Sequence, residues 1–510
     1  MVKVQLLFKR VVFCFFGGLF LWIGLMVFFI KRPGVYGEVG LNTFLLFILT
    51  AFACALIYFI CRALKRIPFT KWHGMCMLTA FVVLSAVVQI LVGLRLRYLT
   101  YWDIDAVFGG ARNWALNGNF DQYMDYYARV APNNSFAMFL LMLVFKVYSL
   151  FGGTDFFAVA VIFTVLLLQA STCALYGIAK QVSGVSGGII TLFLLAVFLP
   201  FYTMGAAFYT DILSLPFVPL IVYFYLRGCN ENKFSRKLFF FVACGFFAAI
   251  GALIKFTVII VLIACVIDWV LNNKEWNFKH LKSRLPALGA GICVAVLLIA
   301  SFFAYFDSLL DEQAVYENRL PTSHYFMMGL NHNDGLFSQE DQDFTMSLPN
   351  LDDRKKEIPP LILERVKEHG FGGLIAHFSM KFYINYQSGT LAQGELFRLS
   401  PQNETALHDI VLYDGCYFPV YNHMVTAQLL AYIFFGLIGV FIFFRKSKFC
   451  VPWLALVGMT LFLMVWESGN RFIASSFPLI LLCAALSLAN IDKLHRPKKS
   501  EQDKAELEAL

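Results

Sequence analysis

The sequence predicts an all-α polytopic membrane protein: a bundle of about 12 transmembrane helices, with helices lying on the outer face and one large outer loop. Three observations carry this. Of 510 residues, 59% are hydrophobic and only 15% are charged, whereas soluble domains carry about 25% charged residues. Phenylalanine alone supplies 56 positions, a composition suited to a lipid-facing surface. The apolar residues also come in runs of about twenty, the length needed to cross roughly 30 Å of hydrocarbon.

In chain order the runs lie at about 11–30, 41–61, 75–95, 156–178, 188–206, 212–227, 238–254, 257–271, 285–306, 425–444, 450–466 and 472–490. The opening MVKVQLLFKR and the run behind it have the charge pattern of a signal peptide. That run is about twenty residues long and no small-residue cleavage site follows it, so it reads as a retained first span. A shorter run, Phe136 to Phe151, is interrupted by Lys146. Parity settles its place. If it does not cross, Lys3, Lys9 and Arg10 share a side with the loops of Arg62, Lys65, Arg66 and Lys71, and of Arg227, Lys233, Arg236 and Lys237. The loop with Lys274, Lys279, Lys282 and Arg284, the Arg445–Lys448 turn and the basic tail from Lys493 to Lys499 join them. That is the positive-inside pattern along the whole chain. The run is therefore expected to be an interfacial helix on the outer face. The chain becomes a multi-pass protein of the cell membrane with both termini cytoplasmic.

The same reading divides the chain into five parts. These are a two-span N-terminal extension (1–74), a transmembrane core with a first outer loop at 96–155 (75–306), a large outer-face loop (307–424), C-terminal spans (425–490) and a charged cytoplasmic tail (491–510). The net charge of +8 belongs to orientation signals rather than to a nucleic-acid surface. Nearly all of the 12 cysteines lie in apolar runs or on basic loops, Cys416 excepted, so neither a disulfide framework nor zinc spacing is present. There is no P-loop and no G-x-G-x-x-G in a strand–helix setting, which argues against an ATP-driven pump and a nucleotide-sugar domain; the SGVSGG stretch is a turn.

Charges not needed for orientation gather on the outer side. Just past the third span stands TYWDIDAVFGGARNWALNG, with Asp103 and Asp105. On an extended stretch the D-x-D spacing points both carboxylates to one face, where they suit a cation or a shared acceptor group. Alternatively Asp105 is the N-cap of a helix from Ala106 to Leu116. Asp211, Lys255 and the Glu467–Arg471 stretch also fall on this side. For Lys255 the plain alternative is a lysine snorkelling between two spans, and for Arg471 a helical ion pair with Glu467 four residues away. In the long outer segment, RLPTSHYFMMGLNHNDGLFSQEDQDF holds His324, His332 and Asp334 without any H-E-x-x-H spacing. Farther on, PPLILERVKEHGFGGLIAHFSMKFYINYQSG reads as an amphipathic helix followed by a shorter apolar one with His377 and Lys381.

This layout resembles the C-type (GT-C) glycosyltransferases, the polyprenyl-phosphate-sugar enzymes of the protein O-mannosyltransferase and aminoarabinose transferase type. In that family an acid stands just after a span with a glycine about fifteen residues on, as Asp103 and Gly118 stand here. An amphipathic stretch ends in FG before a span, matched by Phe151-Gly152 and the run from 156. A span ending near a lysine (GALIKFT, Lys255) and a late arginine–proline element (ESGNRFIASSFPLI, Arg471 and Pro478) also match. The similarity covers roughly residues 75 to 490. Two features depart from the family: the extra N-terminal pair of spans, and Asp103-x-Asp105 where adjacent acids are usual.

The resemblance implies a GT-C-like bundle, a glycosyltransferase of the hexosyltransferase type, and a sugar donor on an undecaprenyl- or dolichyl-phosphate carrier. The acceptor would be a cell-surface glycan, lipid or protein. Such a transfer needs a base at the acceptor hydroxyl and positive charge on the departing phosphate. Asp103 or Asp105 is the candidate base, Lys255 and Arg471 are candidate phosphate clamps, and Asp211, His324 and His332 are candidates for orienting donor or acceptor. No cofactor is called for, though a divalent cation (Mg or Mn) is an alternative source of positive charge. An acceptor activated by that base and attacking opposite the leaving phosphate inverts the anomeric centre in one displacement. Two other classes compete: a lipid or sugar transporter or flippase, which would place charges near the bilayer midplane in two related halves, and a glycan polymerase or ligase.

Overall fold

The computed structural model describes residues 2–30, 41–272, 278–397, 401–444 and 449–494. The Arg445–Lys448 turn, Lys274, the side chains of Lys3, Lys279, Lys282 and Arg284, and the tail from 495 onward lie outside the described residues. Within them all regular structure is helical, apart from a single bridge between Tyr98 and Pro401.

Among the described residues, nine helices are long and apolar enough to cross a membrane. Phe156–Val197, 42 residues long, breaks at Gly184 (φ 76°), where a left-handed backbone separates two expected spans. Only glycine takes that conformation without strain. Two further expected spans are the shorter apolar helices Phe256–Asn272 and Val451–Val465. Every apolar run read from the sequence is thus helical, because in lipid a backbone must satisfy its own polar groups.

The helix Phe477–Asn490 lies at the centre, with nearly every side chain buried. The first two spans pack into the bundle. Phe13 meets Trp453 edge-on at 5.5 Å and Phe20 meets Tyr386 at 5.9 Å, while His423 Nε2 accepts from the backbone of Asn42 at 2.8 Å. The expected interfacial helix, Ser135–Leu150, buries Phe136, Met138, Leu141 and Phe145 and leaves Leu143, Val147 and Leu150 exposed.

The long polar segment is a helical cap rather than an irregular loop. It comprises Glu312–Asn318, Thr322–Gly329, Gln339–Ser347, Leu351–Tyr386, Gln393–Phe397 and Ala406–Val411. Asp311, Ser338 and Asn350 cap three of these by accepting from first-turn amides, the usual role of such side chains. The expected division of 359–389 into two helices falls at Gly370, where φ is 58°.

Candidate active site

The loop after the third span is pinned by Tyr98, which is buried, donates to the Ala206 carbonyl at 3.1 Å and stacks on Phe208. From there the chain enters the helix Trp102–Asn117, whose N-cap is Tyr101 in an extended conformation. Both acids therefore lie inside the first turn, and Asp105 is not the N-cap. Neither is the stretch extended. At about 100° per residue, positions two apart point some 200° from each other, so Asp103 and Asp105 face different surroundings.

Asp105 turns back on its own segment. Its two oxygens accept from Thr100 Oγ1 at 2.6 Å and Tyr123 Oη at 2.7 Å. Room for that tyrosine comes from Gly109, where a Cβ would stand 2.2 Å from its hydroxyl. Asp103, half-buried, turns towards the bundle. It accepts from Tyr126 Oη at 2.8 Å and Tyr209 Oη at 3.2 Å, and Asn134 Nδ2 donates to Tyr126 at 2.6 Å. Burial, helped by the carboxylate beside it, holds the Tyr126 hydroxyl well above the usual phenol range, so it stays a donor. The two acids are separated into one held locally and one presented.

Tyr209 links Asp103 to a second charged group. Its ring lies under the Arg471 guanidinium, 5.5 Å from the centroid. Arg471 Nε is 3.9 Å from Asp211 Oδ2, and Lys255 forms an ion pair with Asp211 Oδ1. Both cations also face the Phe472 ring, Lys255 at 4.7 Å and Arg471 at 5.3 Å. The local folds explain the placement. Lys255 stands where the helix Phe234–Ile254 gives way to extended backbone. Asp211 sits in the first turn of Thr210–Ser214, and Arg471 in the 3-10 turn Asn470–Ser476. The snorkelling alternative for Lys255 does not describe it, since its amine is paired and its side chain is only 14% exposed. Nor is a helical pairing of Arg471 with Glu467 formed, because residues 467–469 are not helical.

Glu467 nonetheless belongs to this cluster, a role the sequence reading did not give it. Burial pushes its carboxyl up to about 7, with Arg471, Lys381 and Lys255 pulling down and Asp103 pushing up. Behind it Lys381, fully buried, donates to the carbonyls of Gly329 and Trp466 at 2.5 Å each, and burial lowers it to about 7. Tyr126, Tyr209 and Glu467 were missed because their roles arise between distant segments. The one available signal was the WESGN turn between two apolar runs, the same setting as Lys255.

The two histidines make their contacts elsewhere. His324 is buried, with Nδ1 2.8 Å from Thr345 Oγ1, and burial depresses it to about 4. His332 is exposed and pairs with Glu368 at 3.1 Å. Among the described residues no group of three or more His, Cys, Asp or Glu is arranged to hold a metal ion, and all cysteines are free.

A helical bundle of this kind defines an integral membrane protein, and the chain belongs to a family of that description: the model for "conserved hypothetical integral membrane protein" matches residues 5–491. The structure is similar to two crystal structures of ArnT from Cupriavidus metallidurans. Against the form bound to undecaprenyl phosphate the identity is 14% and the TM-score 0.35, covering 81% of this chain and 77% of that one. Against the apo form the values are 13%, 0.37, 82% and 78%. No curated protein matches the sequence.

Proposed function

We propose that this protein is a membrane glycosyltransferase that moves a sugar from a polyprenyl-phosphate carrier to a hydroxyl of a cell-surface glycan, lipid or protein at the outer face. One observation carries the reading: Tyr209 holds a carboxylate, Asp103, on its hydroxyl and a cation, Arg471, on its ring. In this reading a base and an anion clamp are thereby tied to one side chain.

In this reading Asp103 takes the proton from the acceptor hydroxyl as its oxygen bonds to the anomeric carbon. The bond from that carbon to the phosphate oxygen breaks, and its electron pair leaves with the polyprenyl phosphate. One displacement inverts the centre. Tyr126 and Tyr209 fix the direction of the carboxylate through two charged hydrogen bonds. Lys255 and Arg471 face the phosphate as its charge grows, which is where fixed positive charge stabilises the transition state most. Both cations lean on the one carboxylate of Asp211. Asp211 orients them. A divalent cation, if one takes part, would draw on Asp103 and Glu467 and would supply further charge to the phosphate.

The outer location rests on the distribution of Lys and Arg between the spans. The test is sugar transfer in membranes at matched protein level, offering radiolabelled polyprenyl-phosphate sugars one at a time. The parent should consume one donor, and Asp103→Asn should bind that donor without turning it over. Equal consumption by parent and variant would remove Asp103 as the base.

A further inference from the structure

At the end of the bundle away from Asp103, the helices Thr43–Arg66 and Phe477–Asn490 finish side by side. The latter continues into the 3-10 turn Ile491–Leu494. Between them lies a cavity of about 190 Å³. Arg62, Lys65 and Arg66 line it, against one carboxylate, Asp492, with Cys61, Leu488 and Ile491 as apolar wall. Lys65 is already paired with Asp492. The only side-chain partner of Arg62 among the described residues is the Tyr58 hydroxyl at 3.4 Å, and Arg66 forms no ion pair among them. The two arginines are four residues apart on one helical face, where like charges repel unless an anion lies between them.

We propose that this cavity binds the phosphate headgroup of an anionic phospholipid. Guanidinium groups match phosphate oxygens two at a time, which a point charge cannot do. The acyl chains have a ready surface. Phe52, Leu56 and Phe59 precede Arg62 and Arg66 at spacings of three and four, forming one stripe, and their exposures are 64%, 48% and 64%. A lipid lying along that stripe brings its headgroup to the arginines, with its first carbons against Leu488 and Ile491. This arrangement selects a lipid over free phosphate, which has no use for the apolar stripe. Basic pockets between spanning helices are a known setting for anionic headgroups. The site is independent of the sugar-transfer reading.

The test uses the full-length protein in detergent, with lipids added and retention read by native mass spectrometry. Phosphatidylglycerol should be retained in preference to phosphatidylcholine. In Arg62→Gln/Arg66→Gln its affinity should fall by roughly tenfold or more, the loss expected for charged hydrogen bonds. Arg62→Lys/Arg66→Lys, which keeps the charge and the fold, should also weaken binding, because the bidentate fork is gone. Equal retention of the two lipids by the parent overturns the proposal, as does unchanged phosphatidylglycerol binding in the Gln variant. Full retention in the Lys variant would reduce the site to diffuse attraction and overturn the headgroup pocket. Displacement of the lipid by millimolar inorganic phosphate would assign the cavity to free phosphate instead.

Discussion

Tyr209 donates its hydroxyl to Asp103 at 3.2 Å while its ring face holds Arg471 at 5.5 Å. One side chain thus ties the candidate base to the candidate clamp, and its two ends are separable by mutation. Tyr209→Phe keeps the ring and removes the hydroxyl. A hydrogen bond to a charged group contributes about 1.5–3 kcal/mol, so kcat should fall roughly tenfold or more with donor KM nearly unchanged. Tyr209→Leu should raise donor KM as well. Steady-state transfer kinetics distinguish the two, and an unchanged kcat in Tyr209→Phe would break the link.

Asp103 and Asp105 should part company in the same assays. Asp103→Asn removes the base and is expected to lower kcat by about 10²–10⁴-fold, far more than the loss of its bonds to Tyr126 and Tyr209 costs in stability, about 1–3 kcal/mol. Asp105→Asn disturbs the bonds to Thr100 and Tyr123, costing about 1–3 kcal/mol of stability with kcat within a few-fold of the parent. Melting curves and turnover on the same preparations check this. The reverse pattern would move the base to Asp105.

Asp211 and Lys255 form a buried pair, and removing one partner of such a pair typically costs about 3–5 kcal/mol. Asp211→Asn is expected to lose stability on that scale, since Lys255 and Arg471 then face each other without their carboxylate. Adding Lys255→Met should restore much of the stability but no activity, because the clamp has lost a cation. If the double variant transferred sugar at the parental rate, the clamp role of Lys255 would be wrong.

Glu467 should impose a pH dependence centred near neutrality. Its carboxyl is raised from the ordinary 4.5 to about 7, so it is neutral below that pH and charged above it. The charged form sets a second negative charge beside Asp103 and the donor phosphate. Donor KM should therefore rise as pH climbs through about 7, and Glu467→Gln should flatten that limb. Stability follows the same sign. The folded state favours the protonated form, so this contribution is present below pH 4.5 and lost as pH rises through about 7. Thermal melts of parent and Glu467→Gln across that window measure it.

Chelation separates the two sources of positive charge. With Lys255 and Arg471 as the clamp, transfer should persist in EDTA at close to the untreated rate. Loss of transfer, restored by Mg or Mn, would assign the neutralising charge to a cation on Asp103 and Glu467.

Sequence and tertiary structure contributed different parts of this picture. Apolar runs of spanning length became helices wherever they were expected, because hydrocarbon offers backbone groups no other partner. Asp103, Asp211, Lys255 and Arg471 stood out for a related reason: charge at the end of an apolar run is costly and needs a purpose. Both signals are local, carried by hydropathy along the chain. The chain alone did not determine that the helix begins at Trp102, which turned the two acids apart and gave each its own pair of hydroxyls. Nor did it determine that Tyr209, 106 residues from Asp103, closes the gap to Arg471. It also did not reveal that burial, with Asp103 nearby, raises the Glu467 carboxyl to about 7. Those relationships depend on how helix ends from distant segments meet, and only packing in three dimensions decides that.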